Sequence, residues 1–99
     1  MLRSLIIDDE LRCRETLAQM LQLYCPEVEL VASADSVESG AKALRDFRPE
    51  LVFLDVCMHD GTGFELVTQA KELNAKVVFA SGHERYAVPA FRAHALDFL

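Results

Sequence analysis

The chain lacks several features that would assign a protein to a class at once. Its three cysteines, Cys13, Cys25 and Cys57, show no CxxC spacing, and an odd count does not make a disulfide framework. Reduced thiols are therefore expected, as in the cytoplasm. No charged segment followed by a long apolar stretch opens the chain, and no apolar run approaches membrane-spanning length. These absences argue against a disulfide-stapled domain and predict a cytoplasmic protein with no membrane partner.

Positive charge is also scarce. Ten Lys and Arg residues stand against sixteen Asp and Glu residues, which gives a formal net charge of −6. This balance disfavours nucleic acid as a partner of this segment. The 99 residues suffice for one domain, although an apolar fraction of 52% is high for so short a chain. Since no linker, repeat or low-complexity stretch interrupts it, a single domain over residues 1–99 is predicted, with some apolar surface left for a partner or further sequence.

The apolar pattern alternates between strands and helices. Strands are predicted at residues 5–7, 28–32, 51–54 and 76–81, helices lie between them, and a last helix is predicted at 87–94. Repeated βα units favour a parallel sheet with right-handed crossovers. The apolar residues at helical spacing in the first three helices are Cys13, Leu17, Met20, Leu21 and Tyr24; Val37, Ala41 and Leu44; and Leu66, Val67, Ala70 and Leu73.

Two of the helix starts show the spacing of a capping box. Asp35 with Glu38 predicts the start of the second helix, and Thr62 with Glu65 predicts the start of the third. The second helix is expected to end at Arg48–Pro49, because a residue before proline disfavours helical dihedrals.

Three carboxylates follow two apolar strands at the point where each strand ends. Asp8 and Asp9 come directly after Leu5–Ile7, and Asp55 comes after Leu51–Leu54. Strands that are apolar on consecutive residues suit a buried parallel sheet, whose ligands bind at its carboxyl edge. Carboxylates that meet there raise one another's pKa unless a cation is present. Because an oxygen-rich acidic cup suits Mg²⁺, a magnesium site is predicted.

Four segments, in this order, resemble the receiver domain of two-component response regulators. They are LIIDDE at 5–10, LVFLDVCMHDGTGFELV at 51–67, VVFASGH at 77–83 and AVPAFRAHALDFL at 87–99. The last is similar to receivers that precede a LytTR-type DNA-binding domain. The resemblance implies an α/β fold of flavodoxin-like (CheY-like) type, with a parallel sheet in the order 2-1-3-4-5. It also implies a C-terminally truncated receiver, its fifth strand cut short and its fifth helix missing.

The resemblance implies a role for each residue of the acidic cup. Asp55 matches the phosphoacceptor, and Asp9 matches the carboxylate that binds Mg²⁺ directly. Asp8 matches the neighbour that holds the metal, often through water. At the position of Cys57 the family uses a backbone carbonyl as a further metal ligand.

Two further positions match the family's conformational switch. Ser81 matches the hydroxyl that turns toward the phosphoryl group, and Phe98 matches the aromatic ring that moves inward with it. The lysine that pairs with the phosphoryl group is expected beyond Leu99. His59 stands where the family commonly has proline.

Three functions remain open at this point. The first is a phosphoacceptor receiver that a histidine kinase phosphorylates and that switches an output partner. It would not be an enzyme, although it assists its own phosphoryl transfer from phosphohistidine or small phosphodonors. The second is a signalling-inactive, receiver-like dimerisation or interaction module. The third is a small Mg²⁺-dependent aspartyl phosphatase, against which the absence of a second carboxylate just after Asp55 counts. A homodimer or a domain-swapped oligomer is expected, because an uncovered sheet face and edge invite association.

Overall fold

A computed structural model describes residues 2–79 and 97–98 of the chain. Within them, five parallel strands form one sheet in the order β2-β1-β3-β6-β7, flanked by helices. Without the small hairpin β4–β5, this is the predicted order 2-1-3-4-5. The elements are β1 Leu2–Ile7, α1 Leu11–Tyr24, β2 Val28–Ala34, α2 Val37–Phe47, β3 Leu51–Leu54, β4 Cys57–Met58, β5 Gly61–Thr62, α3 Phe64–Glu72, β6 Lys76–Phe79 and β7 Asp97–Phe98.

The sheet separates two apolar clusters of unequal size. Successive side chains of a strand point to opposite faces. Leu5 and Ile7 of β1 therefore join the cluster under α2 and α3, whereas Ile6 joins the cluster under α1. Among the described residues, the first cluster contains fifteen buried side chains and the second contains three. Most of the described core thus lies on the α2–α3 side.

Helix α1 buries only part of the apolar stripe that its sequence shows. Leu21 is buried and Leu17 is half-buried, whereas Cys13 is exposed. Met20 is 51% exposed and Tyr24 is 75% exposed. The main contacts of α1 are with β1 and the edge strand β2, and Leu21 also belongs to an apolar cluster with Phe53 of β3. Helical spacing of apolar residues therefore does not give one continuous buried face in this helix among the described residues.

Helix α2 begins one residue later than the predicted capping box. Ser36, not Asp35, is the N-cap: its hydroxyl oxygen accepts from the Ser39 N–H at 2.9 Å, and the Ser39 hydroxyl accepts from the Ser36 N–H at 3.1 Å. The Asp35 carboxylate instead accepts from the Ser39 hydroxyl at 3.1 Å. A serine pair at the same spacing therefore replaces the predicted pair of Asp35 and Glu38.

The end of α2 agrees with the prediction. Its C-cap, Arg48, adopts the left-handed conformation with φ of 44° directly before the buried Pro49. The guanidinium of Arg3, in β1, donates to the carbonyl oxygens of Phe47 at 2.6 Å and Arg48 at 3.2 Å. Carbonyls at a helix C-terminus have no partner within the helix, so a strand residue supplies their donors.

The predicted capping box of α3 is present only in part. The Glu65 carboxylate accepts from the Thr62 N–H at 2.8 Å, but the N-cap is Gly63, which has no side chain to complete the box. The predicted stripe of α3 is confirmed, with Leu66, Val67 and Ala70 buried. The helix predicted at 87–94 lies outside the described residues.

Candidate functional site

The backbone ladder of the sheet brings the acidic residues to one edge. β1 and β3 pair in register, with Ile7 opposite Leu54. Beyond them, the Asp55 N–H donates to the Ile7 carbonyl at 2.9 Å and the Asp8 N–H donates to the Ala34 carbonyl at 3.0 Å. Because the ladder continues one step past the strands, the aspartates leave the sheet at the same end.

The side chains of Asp8, Asp9 and Asp55 converge there. One carboxylate oxygen from each lies within 4.8 Å of the others. Asp8 is buried, and the other two are half-buried. Opposite ligands of a Mg²⁺ ion are separated by about 4.2 Å, twice the usual Mg–O bond length. The donor set and its spacing therefore fit Mg²⁺ with small side-chain adjustments and open positions for water.

Burial disfavours the charged form of the Asp8 carboxylate. Its pKa is raised, first because burial disfavours the charged form and also because Asp9 and Glu10 add negative charge nearby. The Glu10 N–H, which donates to Asp8 Oδ1 at 2.9 Å, and the charge of Arg14 oppose this rise. The sequence predicted mutual repulsion, but desolvation is the larger cause. A bound cation would relieve both.

The segment after Asp55 packs closely against it. Gly63 donates its N–H to the Val56 carbonyl at 2.7 Å. A Cβ at Gly63 would collide with the Asp55 carbonyl oxygen and lie 2.9 Å from Leu54 Cγ. Only glycine allows this approach without a shift. Between these residues, Cys57 pairs with Thr62 in the β4–β5 hairpin, which the apolar pattern of the sequence did not predict.

Asp60 makes a long-range contact with the start of α2 that the sequence did not predict. It lies in the turn of the hairpin, and its carboxylate oxygens accept from the N–H groups of Val37 at 2.9 Å and Glu38 at 3.1 Å. These two hydrogen bonds are the main reason that the pKa of Asp60 is lowered. No local pattern marks the contact, because the partners are 23 and 22 residues away in the chain.

Cys13 lies near the acidic cluster but does not offer a thiolate. Its Sγ–H donates to Glu10 Oε2 at 3.0 Å, and this hydrogen bond is the main reason that its pKa is raised to about 11. The thiol therefore stays protonated at neutral pH and is a poor metal ligand.

The predicted switch residues fall largely outside the described part of the chain. Ser81 lies outside it. Phe98 is described only as the backbone partner of Phe79 in β7. Among the described residues, no helix is long and apolar enough to cross a membrane.

Comparison with known proteins finds one family and several relatives that resemble this chain. The model of the response regulator receiver domain family matches residues 4–99. The chain is 38% identical over 101 residues to the sensory transduction protein LytT of Bacillus cereus, covering 100% of this chain and 41% of that protein. It is 35% identical over 100 residues to the transcriptional regulatory protein BtsR of Escherichia coli, again covering 100% of this chain and 41% of that protein. The chain therefore spans about two fifths of these relatives.

A solved structure supports the same assignment. The response regulator TrrA of Thermotoga maritima, crystallised in complex with Mg(2+)-BeF, superimposes with a TM-score of 0.84 at 25% identity. The match covers 100% of this chain and 85% of that one.

Proposed function

Because the chain belongs to the response regulator receiver domain family, we propose that Asp55 accepts a phosphoryl group in a Mg²⁺-dependent reaction. Receiver domains of this family are signalling domains of two-component systems rather than conventional enzymes, and their partners are histidine kinases. The observation that carries the proposal is the convergence of Asp8, Asp9 and Asp55 within 4.8 Å at the carboxyl edge of the sheet.

The proposed chemistry is a displacement at phosphorus. A carboxylate oxygen of Asp55 forms a bond to phosphorus as the bond to the donor's imidazole nitrogen breaks and its electron pair stays with the imidazole. The product is an acyl phosphate on Asp55. Such a transfer needs positioning and charge neutralisation more than proton transfer.

The residues around Asp55 would prepare it for this reaction. Asp8, Asp9 and the backbone carbonyl of Cys57 would hold Mg²⁺ together with Asp55. The bound ion would neutralise part of the negative charge that the carboxylate and the incoming phosphoryl group share. Close packing of Gly63 against the Asp55 carbonyl restrains the backbone of the nucleophile. We assign the switch hydroxyl to Ser81 and the switch aromatic to Phe98, following the resemblance.

The proposed role in the cell is to pass the phosphorylation state to an output partner. The relatives carry the printed names sensory transduction protein and transcriptional regulatory protein, and the chain covers 41% of each. We propose a cytoplasmic receiver domain spanning residues 1–99 that controls such a partner. With a net charge of −6, this segment would not bind nucleic acid itself. We also propose self-association, because large apolar side chains such as Leu23 and Tyr24 are exposed.

The decisive experiment measures acid-labile phosphate incorporation from radiolabelled acetyl phosphate. We expect the native chain to incorporate label in the presence of Mg²⁺ and to incorporate none when EDTA is present from the start of the reaction. Asp55→Asn should reduce the label to background, because an amide is not a nucleophile for this reaction. Asp46→Asn, an exposed aspartate in α2, serves as the matched control and should label like the native chain.

Three results would count against the proposal. Equal labelling of the native chain and Asp55→Asn would place the phosphate elsewhere. No labelling of a folded native chain would favour the signalling-inactive interaction module. Release of inorganic phosphate over many turnovers would instead favour the phosphatase.

A further inference from the structure

Asp60 completes the hydrogen bonding at the start of α2 from a distant part of the chain. The first N–H groups of a helix have no partner within the helix. In α2 the N–H of Ser39 is satisfied by the N-cap Ser36, and the N–H groups of Val37 and Glu38 donate to Asp60. Each carboxylate oxygen accepts one of the two bonds, so the contact fixes both the position and the orientation of the side chain.

The same carboxylate holds the tip of the β4–β5 hairpin. The hairpin pairs Cys57 with Thr62 and Met58 with Gly61, which places Asp60 in its two-residue turn. Bonds to neighbouring residues hold its base, since Gly63 donates to the Val56 carbonyl. Asp60 thus attaches the tip of the hairpin to α2, a helix whose Ala43 and Leu44 are buried in the core.

We propose that Asp60 is a positioning residue: by holding the hairpin Cys57–Thr62 to the N-terminus of α2, it fixes the hairpin beside Asp55 and raises the affinity of the acidic site for Mg²⁺. The inference rests on the proposed function, because it takes the Cys57 carbonyl as part of the metal site. The lowered pKa of Asp60 agrees with it, since the carboxylate is held in its charged form.

The alternative is that Asp60 only caps α2. Both roles predict that removal of the carboxylate exposes the N–H groups of Val37 and Glu38 to solvent. They differ in the metal site, because a cap without a positioning role would leave Mg²⁺ affinity unchanged wherever the protein remains fully folded.

The test compares Asp60→Ala and Asp60→Asn with the native chain and with Asp46→Ala. The last variant removes one negative charge from an exposed position in the last turn of α2, where Asp46 pairs only with Lys42 among the described contacts. Amide exchange at Val37 and Glu38, measured by NMR without metal, reports whether their N–H groups still donate to residue 60. Calorimetric titration with Mg²⁺, at a temperature where each variant is folded, reports the site.

We expect faster amide exchange and about tenfold weaker Mg²⁺ binding in Asp60→Ala, at the lower end of the effect of outer-shell substitutions. Asp60→Asn keeps one acceptor oxygen, so its Mg²⁺ affinity and amide exchange rates should lie between those of Asp60→Ala and those of the native chain. Asp46→Ala should bind within about twofold of the native chain, as expected for an exposed charge. If Asp60→Ala does not fold, Asp60→Asn alone decides, by weaker or unchanged binding.

Unchanged Mg²⁺ binding in Asp60→Ala, despite faster exchange, would overturn the inference and leave the proposed function intact. An equal loss in Asp46→Ala would also overturn it, because general charge would then be responsible. If the native chain itself bound no Mg²⁺, the proposed function would fail, and this inference with it.

Discussion

Asp8 illustrates the conflict between stability and binding at a single residue. It is only 7% exposed, and burial raises its pKa. A raised pKa means that the folded state disfavours the charged carboxylate more than the unfolded state does. The folded state therefore gains relative stability as the pH falls through that pKa and loses it as the pH rises. At neutral pH and without a cation, Asp8 should destabilise the fold.

Substitution of this carboxylate by an amide should stabilise the metal-free protein. We expect Asp8→Asn to raise the free energy of unfolding by about 0.5–2 kcal/mol in EDTA, as substitutions that relieve strain at a binding site often do. The amide oxygen can still accept from the Glu10 N–H, as Asp8 Oδ1 does at 2.9 Å. Urea unfolding followed by circular dichroism measures the change, and added Mg²⁺ should stabilise the native chain more than the variant. A less stable Asp8→Asn in EDTA would contradict this account.

At the scale of the element, both ends of α2 depend on residues far away in the sequence. Asp60 accepts from its first N–H groups, and Arg3 donates to the carbonyls of Phe47 and Arg48 at its end. The charges also match the helix dipole, with an anion at the N-terminus and a cation at the C-terminus. The two ends of α2 are thus stabilised by contacts with the β4–β5 hairpin at its start and with β1 at its end.

Removal of the Arg3 guanidinium should destabilise the fold through α2. We expect Arg3→Met to cost about 1–2 kcal/mol, since two hydrogen bonds to carbonyls and a favourable charge are lost while the aliphatic part of the side chain is retained. Arg12→Met is the matched control at an exposed position of α1 and should change stability by less than about 0.5 kcal/mol. Equal effects of the two substitutions in urea unfolding would argue against a specific role of Arg3.

The sequence predicted the elements better than the contacts between their ends. The positions of the strands and the stop at Arg48 follow from apolar periodicity and proline, which are local, whereas the strand order was implied by the family resemblance. The cap of α2 was assigned one residue too early, because Asp35 and Ser36 are both good capping residues and they are distinguished by which side chain accepts from the Ser39 N–H. The bond from Asp60 to α2 depends on how two loops meet in space, so no local pattern predicts it.

At the scale of the whole molecule, the described residues pack unequally on the two faces of the sheet. Among the described residues, fifteen buried apolar side chains lie on the α2–α3 side and three lie on the α1 side. Burial of apolar surface is the main source of stability, so the α2–α3 side should provide most of it.

A matched pair of leucines tests this difference. Leu44, in α2, is 0% exposed, and Leu21, in α1, is 7% exposed. Leu→Ala in a core costs about 2–5 kcal/mol, and the cost depends on how far the surroundings can relax. We expect the loss of unfolding free energy to lie near the upper end of this range for Leu44→Ala and near or below its lower end for Leu21→Ala. Urea unfolding measures both values. Equal costs would show that the α1 side is as well packed as the other.

The small number of buried contacts that α1 makes within the described residues matters because this helix begins at Leu11, two residues after Asp9. Regions with few buried contacts open by local fluctuations at lower free energy than the rest of a protein. Each such opening would move the carboxylates of Asp8 and Asp9 away from that of Asp55. Binding of the ion and local opening of this helix are consequently linked equilibria. A bound cation should therefore slow amide exchange along α1, although it makes no contact with the helix.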